Sequence, residues 1–309
     1  MTLEVLAPGI QTTLQDLGRT GWQRYGVRVC GAMDSLALRV ANRLVGNPEN
    51  TVAIEVAWSG PRLRFDDDAL IAIAGGEFDV TVNDRRLRLW EGHPIPAGGE
   101  LAFGACHSGF RACLAVAGGF VAQQVFGSGS TDLSAGWGGV QGRALARGDR
   151  IEWREPAGHA VAGRRASADL ESEYETHLPI RVVLGPDEQL FGQSAIRSFF
   201  SSTYKITPRS DRQGYRLSGS IIESLCGPNL LSEAMPRGAI QIPHDGQPIL
   251  LLADRQSVGG YPKVACCISA DLCRAAQLPI GGSVSFSEVS LDQARRALLR
   301  QEEKIRMCC

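Results

Sequence analysis

Short runs of alternating apolar and polar residues, punctuated by glycine, recur along most of the chain. Residues 69–74, 79–83, 87–90, 110–116 and 150–153 have the length and alternation of strands, each bounded by turn residues. Residues 180–184, 249–253, 264–268 and 283–286 repeat the texture in the second half. Many short strands with regular turn signals predict a mainly β fold of the sandwich or barrel kind. Three segments, IPAGGELAF (95–103), LARGDRIEW (145–153) and LPIGGSVSF (278–286), share one device. Each is a tight turn feeding an alternating strand that ends in an aromatic, which points to a tandem architecture.

Helices are few. Asp34 is placed to cap a helix over 35–45, where Leu38, Ala41 and Val45 share a face and Gly46-Asn47-Pro48 stops the run. Further helices are predicted over 187–200 and 271–277. Ser290 and Gln293 form a capping box that opens a final helix, with Leu291, Ala294, Leu298 and Ile305 expected inward. Residues 155–177 carry no sustained alternation and are rich in small and charged side chains. The expected organisation is an N-terminal β domain over 1–165, a linker over 166–178, a C-terminal β domain over 179–289 and a helix over 290–309.

Composition narrows the function classes. The chain has 309 residues, 44% hydrophobic and 21% charged, which is enough apolar mass for two cores. Its 32 basic and 33 acidic side chains leave a formal charge of −1, with no electrostatic footprint for nucleic acid or an anionic membrane. The first nine residues lack the pattern of a signal peptide, and the longest apolar runs are of strand length, so a cytoplasmic protein is expected. Nine cysteines include the adjacent pairs Cys266-Cys267 and Cys308-Cys309 but no C-x-x-C. Reduced thiols and no metal site are the expectation.

Four segments carry candidate chemistry. In PGIQTTLQDLGRTG (8–21) and GAMD (31–34), Asp16, Arg19 and Asp34 lie on glycine-flanked loops where backbone approaches a ligand closely. An Asp16–Arg19 turn pair, with Asp34 only capping its helix, is the plainer alternative. In GSGSTDL (127–133), backbone amides with Ser128, Ser130 and Thr131 suit an anion-binding nest, or a simple surface loop. SDRQGYR (210–216) sets Asp211 beside two arginines, Arg212 and Arg216, suited to a carboxylate, a phosphate or a salt-bridged turn. The richest is Gln241-Ile-Pro243 followed by LADRQSVGGYPK (252–263), where an apolar strand delivers Asp254, Gln256, Tyr261 and Lys263 to an exposed loop near Gln241. Amide chemistry needs such a set: donors for a developing oxyanion and an acceptor that orients an N–H. There is no Walker A, no G-x-S-x-G and no H-E-x-x-H.

Taken together, PGIQTTLQDLGRTG, GAMD, ANRLVGNP (41–48), GSGSTDL, SDRQGYRLSG (210–219) and LADRQSVGGYPKVA (252–265) resemble one family. It contains the C-type subunit of 5-oxoprolinase, the carboxyltransferase part of urea carboxylase, and the antagonist of a sporulation-kinase inhibitor, also called allophanate hydrolase subunit 2. The resemblance implies two cyclophilin-like β-barrel domains with the substrate site in the cleft between them. It also implies B-type and A-type partners and, in the 5-oxoprolinase case, ATP with Mg2+ at the level of the complex. One departure stands out: where the family commonly reads GSRSTDL, this chain has Gly129.

A C-type subunit of a 5-oxoprolinase, with 5-oxoproline as substrate, is therefore the leading expectation. Lys263, Asp254 and Asp34 are the candidate catalytic groups. Arg19, Ser128, Ser130, Thr131, Asp211, Arg212, Gln241, Gln256 and Tyr261 are the candidate substrate contacts. With no biotinylation sequence, no covalently attached biotin is expected, and a carboxyltransferase acting on a urea-like amide is the alternative enzyme. The third reading is a regulatory binding protein that antagonises a kinase inhibitor.

Overall fold

The computed structural model describes residues 1–156, 158, 161–174, 177–225 and 230–308. They form two compact units, one built from Met1–Arg19, Cys30–Tyr174 and Glu303–Cys309, the other from Thr20–Val29 and Glu175–Glu302. The class is mainly β with short helices; one sheet is a nearly closed barrel and the other a half-barrel. Among the described residues no helix is long and apolar enough to cross a membrane.

The first unit's sheet runs Gln11–Gln15, Ala53–Ala57, Glu100–Val116, Arg62–Phe65, Thr2–Ala7 and Arg150–Glu152, with Ala69–Val82 also paired along Glu100–Val116. Glu100–Val116 turns the corner. Its first residues pair with Arg62–Phe65 and its last with Ala53–Ala57, while three register shifts interrupt its pairing with Ala69–Val82. Such bulges bend a sheet toward closure. Gly75 sits at that bend with φ +123, where a Cβ would lie 2.5 Å from the Arg111 carbonyl oxygen. Alternation then sends Leu3, Val5, Leu63, Phe65, Ile71, Ile73 and Leu114 into one core. Residues 69–74 and 79–82 thus belong to a single strand, Asn83 opens the turn that follows with φ +48, and 87–90 is not a strand. Trp90 there has φ +63 and lies buried against the Tyr174 ring at 5.2 Å, and the pairing strand is Gly92–Ile95.

The second unit's sheet runs Ser283–Val284, Tyr204–Ile206, Gly214–Ser218, Ile249–Leu251, Ala239–Gln241, Lys263–Cys267, Ile180–Leu184 and Phe286–Glu288. Its two outer strands are neighbours in sequence, separated only by Ser285, so one stretch of chain binds both ends of a curled sheet. Phe199 stacks on Phe286 at 4.9 Å under that curl.

The first helix is Ser35–Leu44, and Asp34 accepts from the Ala37 amide at 2.9 Å as its cap. The predicted 187–200 helix is broken. A 3-10 turn, Glu188–Leu190, precedes Gln193–Ser201, because Gly192 takes an extended conformation at the helix start. The 271–277 segment is likewise a 3-10 turn, Ser269–Asp271, leading into Leu272–Ala276. The final helix, Leu291–Arg306, has its capping box: Ser290 Oγ accepts from Gln293 N at 3.2 Å and Gln293 Oε1 from Ser290 N at 2.8 Å. Its inward face differs from expectation. Leu291 is 75% exposed, whereas Ala297, Gln301 and Ile305 are buried.

Candidate functional site

In the first unit the strand Gln11–Gln15 runs into the turn that carries Asp16 and Arg19, and both side chains are buried. Asp16 is not paired with Arg19. Its carboxylate accepts the Ser128 and Ser130 hydroxyls, each at 2.6 Å, together with the Gly129 amide at 2.7 Å and the Gly18 amide at 2.8 Å. Arg19 Nη2 donates to the Ser130 carbonyl, and Thr131 Oγ1 to the Leu14 carbonyl at 3.0 Å. The glycine–serine loop is thus an anion nest whose anion is internal. Nests bind whatever negative group lies over their N–H groups, and here Asp16 holds that place. A phosphate would have to displace a buried carboxylate, so this loop does not fit the phosphates of ATP. Nor does position 129 have room for a longer side chain, since a Cβ there would meet Val52 Cγ2 at 2.7 Å and Ala122 Cβ at 3.0 Å.

In the second unit Arg212 and Asp254, both expected at a ligand, meet each other. Arg212 Nε reaches Asp254 Oδ2 at 2.8 Å and Nη2 reaches Oδ1 at 3.0 Å, with both side chains buried. Lys263 is not an exposed loop residue. It opens the interior strand Lys263–Cys267, is 4% exposed, and pairs with Asp187 at 2.7 Å and with Glu233. Burial pulls its ammonium down, but hydrogen bonds and charge from Asp187 and Glu233 outweigh that and hold it above the ordinary lysine value. Gln241 Nε2 donates to the Tyr261 carbonyl at 3.2 Å, and Gln256 Nε2 donates to Gln241 Oε1 at 3.3 Å. Tyr261 stands edge-on to His244 at 5.5 Å.

A cavity of about 450 Å³ opens against the strands Gly214–Ser218 and Ile249–Leu251 of this sheet. Of the residues expected at a ligand, Asp211, Gln241, Gln256 and Tyr261 line it, whereas Arg212, Asp254 and Lys263 do not. Arg209 and Thr207 are lining groups that the sequence reading did not single out, and Arg216, noted there beside Asp211, lines the cavity in place of Arg212. Arg216 had a legible signal: in Gly214–Ser218, Tyr215 and Leu217 are buried, so alternation turns residues 216 and 218 to the opposite face. Asp187 and Glu233 carried none, lying 76 and 30 residues from Lys263. Asp34 caps its helix in the first unit; Ser128 and Ser130 hold Asp16 there, Arg19 joins them through the Ser130 carbonyl, and Thr131 bonds the Leu14 carbonyl.

Comparison with known proteins accounts for this assembly of parts. Residues 25–288 match the carboxyltransferase domain family, subdomains A and B. The 5-oxoprolinase C subunit of Escherichia coli is 37% identical over 308 residues, covering 98% of this chain and 95% of that protein. The protein of the same name from Haemophilus influenzae is 36% identical over 303 residues, covering 98% and 96%. Among solved structures, the urea amidolyase of K. lactis superposes with a TM-score of 0.89 at 32% identity, over 98% of this chain and 20% of that one. The chain belongs to the carboxyltransferase-domain family that includes these 5-oxoprolinase C subunits.

Proposed function

We propose that this chain is a cytoplasmic C-type subunit of a 5-oxoprolinase, opening 5-oxoproline to L-glutamate with A- and B-type partners and ATP with Mg2+. The observation that carries the reading is the end-to-end match to separate polypeptides named as 5-oxoprolinase C subunits. The urea amidolyase match instead occupies a fifth of a much longer chain.

A lactam carbonyl is unreactive until its oxygen is polarised or derivatised. Lys263, buried outside the cavity and kept as an ammonium by Asp187 and Glu233, acts as a positioning group for the neighbouring Tyr261 rather than as a base. Asp254, locked by Arg212, acts as a positioning group for the loop that carries Gln256 and Tyr261. Those two side chains, with Gln241, supply the amide and phenol groups that orient a small polar substrate. The loop with a phosphate-nest sequence holds Asp16, so ATP is assigned to the complex and no step on this chain runs through it.

The test is reconstitution. The chain alone gives little or no turnover, and adding A- and B-type partners gives ATP-dependent glutamate release from 5-oxoproline. Strong ATP-dependent activity from this chain alone removes the division of labour. The family match to a carboxyltransferase domain favours one second reading, carboxylation of a urea-like amide. Carboxylation of urea with carboxybiotin as donor establishes that reading instead.

A further inference from the structure

The cavity of the second unit contains a charge pattern that the reaction as proposed does not use. Arg209 and Arg216 are brought together by the backbone: the Thr207 amide donates to the Arg216 carbonyl at 2.9 Å, and the Arg216 amide donates to Ser210 Oγ at 3.0 Å. The turn bearing Arg209 is thereby clamped on both sides of Arg216. Both guanidiniums line the cavity, and among the described residues neither has an ion-pair partner. Thr207 Oγ1, on the same wall, is a buried hydroxyl with no hydrogen-bond partner among the described residues.

Two carboxylates line the same space. Asp211 Oδ1 is engaged by the Gln213 and Gly214 amides at 2.8 and 3.3 Å, and Asp245 Oδ1 by the Gln247 amide at 3.0 Å. Each aspartate has one oxygen held by its own turn, which fixes the side chain in place. Two positive and two negative groups around one cavity disfavour a phosphate dianion, which meets uncompensated aspartates. They suit a ligand that presents a negative group and an N–H donor together. Planar guanidinium pairs take a carboxylate well, and the hydroxyl of Thr207 adds a donor. A volume of about 450 Å³ is within the range of small-molecule sites.

We infer that this cavity binds a small molecule carrying both a carboxylate and an N–H, with Arg209 and Arg216 gripping the carboxylate and setting specificity against neutral amides. The choice of 5-oxoproline as probe rests on the proposed function; the charge argument does not.

The decisive comparison uses 5-oxoproline, 2-pyrrolidinone (the same lactam without the carboxylate) and inorganic phosphate, titrated calorimetrically into the full chain and into the assembled complex. Wild type is expected to prefer 5-oxoproline to 2-pyrrolidinone by about tenfold or more, the usual scale for a charged hydrogen-bonded contact. The double variant Arg209→Gln, Arg216→Gln loses that preference while 2-pyrrolidinone affinity is unchanged, and in the complex KM for 5-oxoproline rises with little change in kcat. Both side chains are exposed, so the variant is expected to fold. Equal affinity for the two lactams, a preference that survives the double variant, tighter binding of phosphate, or no binding of 5-oxoproline to chain or complex each overturns the subsite. Glutamate release with an unchanged KM in the variant sinks the subsite and leaves the proposed reaction standing. A carboxylate preference that depends on the arginines, in a complex that releases no glutamate, does the reverse.

Discussion

Arg212 and Asp254 face each other through two parallel hydrogen bonds, 2.8 Å from Nε to Oδ2 and 3.0 Å from Nη2 to Oδ1, with both side chains out of water. A carboxylate so held is shielded and fixed. Breaking a buried pair by neutralising one partner leaves an uncompensated charge and costs about 3–5 kcal/mol. Asp254→Asn is therefore expected to lower the melting temperature clearly, and Arg212→Met, Asp254→Leu together to recover much of the loss. Calorimetric melting of Arg212→Met, Asp254→Leu and the double variant checks this, and additive losses would show that the two residues act independently.

Lys263 is expected to matter to both folding and turnover. Its folded-state value is raised, because Asp187 and Glu233 outweigh burial. The stabilisation is therefore fully present below the unfolded lysine value of about 10.4 and is lost as pH rises through the folded one. Melting of wild type and Lys263→Met across pH 7 to about 11 reads it: the gap between them stays constant to about pH 10 and narrows above. In the reconstituted complex the same substitution lowers turnover by displacing the neighbouring Tyr261 rather than by removing a contact to the reacting oxygen, so KM rises along with any fall in kcat. A gap that opens, rather than narrows, at alkaline pH contradicts the pairing.

Much of this arrangement is legible in the sequence, and the part that is not has a common cause. Alternation and glycine spacing give the β class, and Asp34, Ser290 and Gln293 mark helix starts that the structure contains. Local pattern fails where tertiary packing fixes the backbone. Trp90 takes a left-handed conformation to bury its ring, and Gly192 interrupts what reads as one helix. The candidate site divides in the same way. Apolar runs point to the loop with Asp254, Gln256 and Tyr261, but nothing local says that Asp254 meets Arg212, 42 residues away. Ion pairs between distant segments are set by the curl of the sheet, not by spacing along the chain. Arg216 is the instructive exception, since its place in an alternating strand already turns it away from the core.

The Asp16 network predicts that the glycine–serine loop serves structure before ligand. Asp16→Asn removes the charge from four accepted hydrogen bonds and, with the amide oxygen at the Oδ1 position, turns an NH2 donor toward the Gly129 amide; it is expected to destabilise the first unit by about 3–5 kcal/mol, since bonds to a buried charge are worth about 1.5–3 each and are not additive. Gly129→Arg crowds Val52 and Ala122, an overpacking loss of about 1–3 kcal/mol. Denaturant unfolding measures both. An arginine variant that is fully stable and binds substrate more tightly would show that the loop opens to ligand.

Asp34 separates two roles that one carboxylate can play. Its Oδ1 accepts from the Ala37 amide at 2.9 Å, and the residue is wholly buried at the start of Ser35–Leu44. Asparagine caps helices nearly as well as aspartate, whereas alanine at a cap costs about 0.5–2 kcal/mol. If capping is the role, Asp34→Asn keeps both the melting temperature and the turnover of the reconstituted complex, and Asp34→Ala loses stability while the molecules that remain folded retain their activity. A carboxylate that takes part in the chemistry behaves differently: Asp34→Asn then melts like wild type yet loses activity by about 100-fold or more, the usual scale for removing a general base. Turnover per folded molecule, measured for both variants below their melting transitions, distinguishes the two. The Ala37 amide that Asp34 accepts belongs to its own helix, which is the contact the first outcome requires.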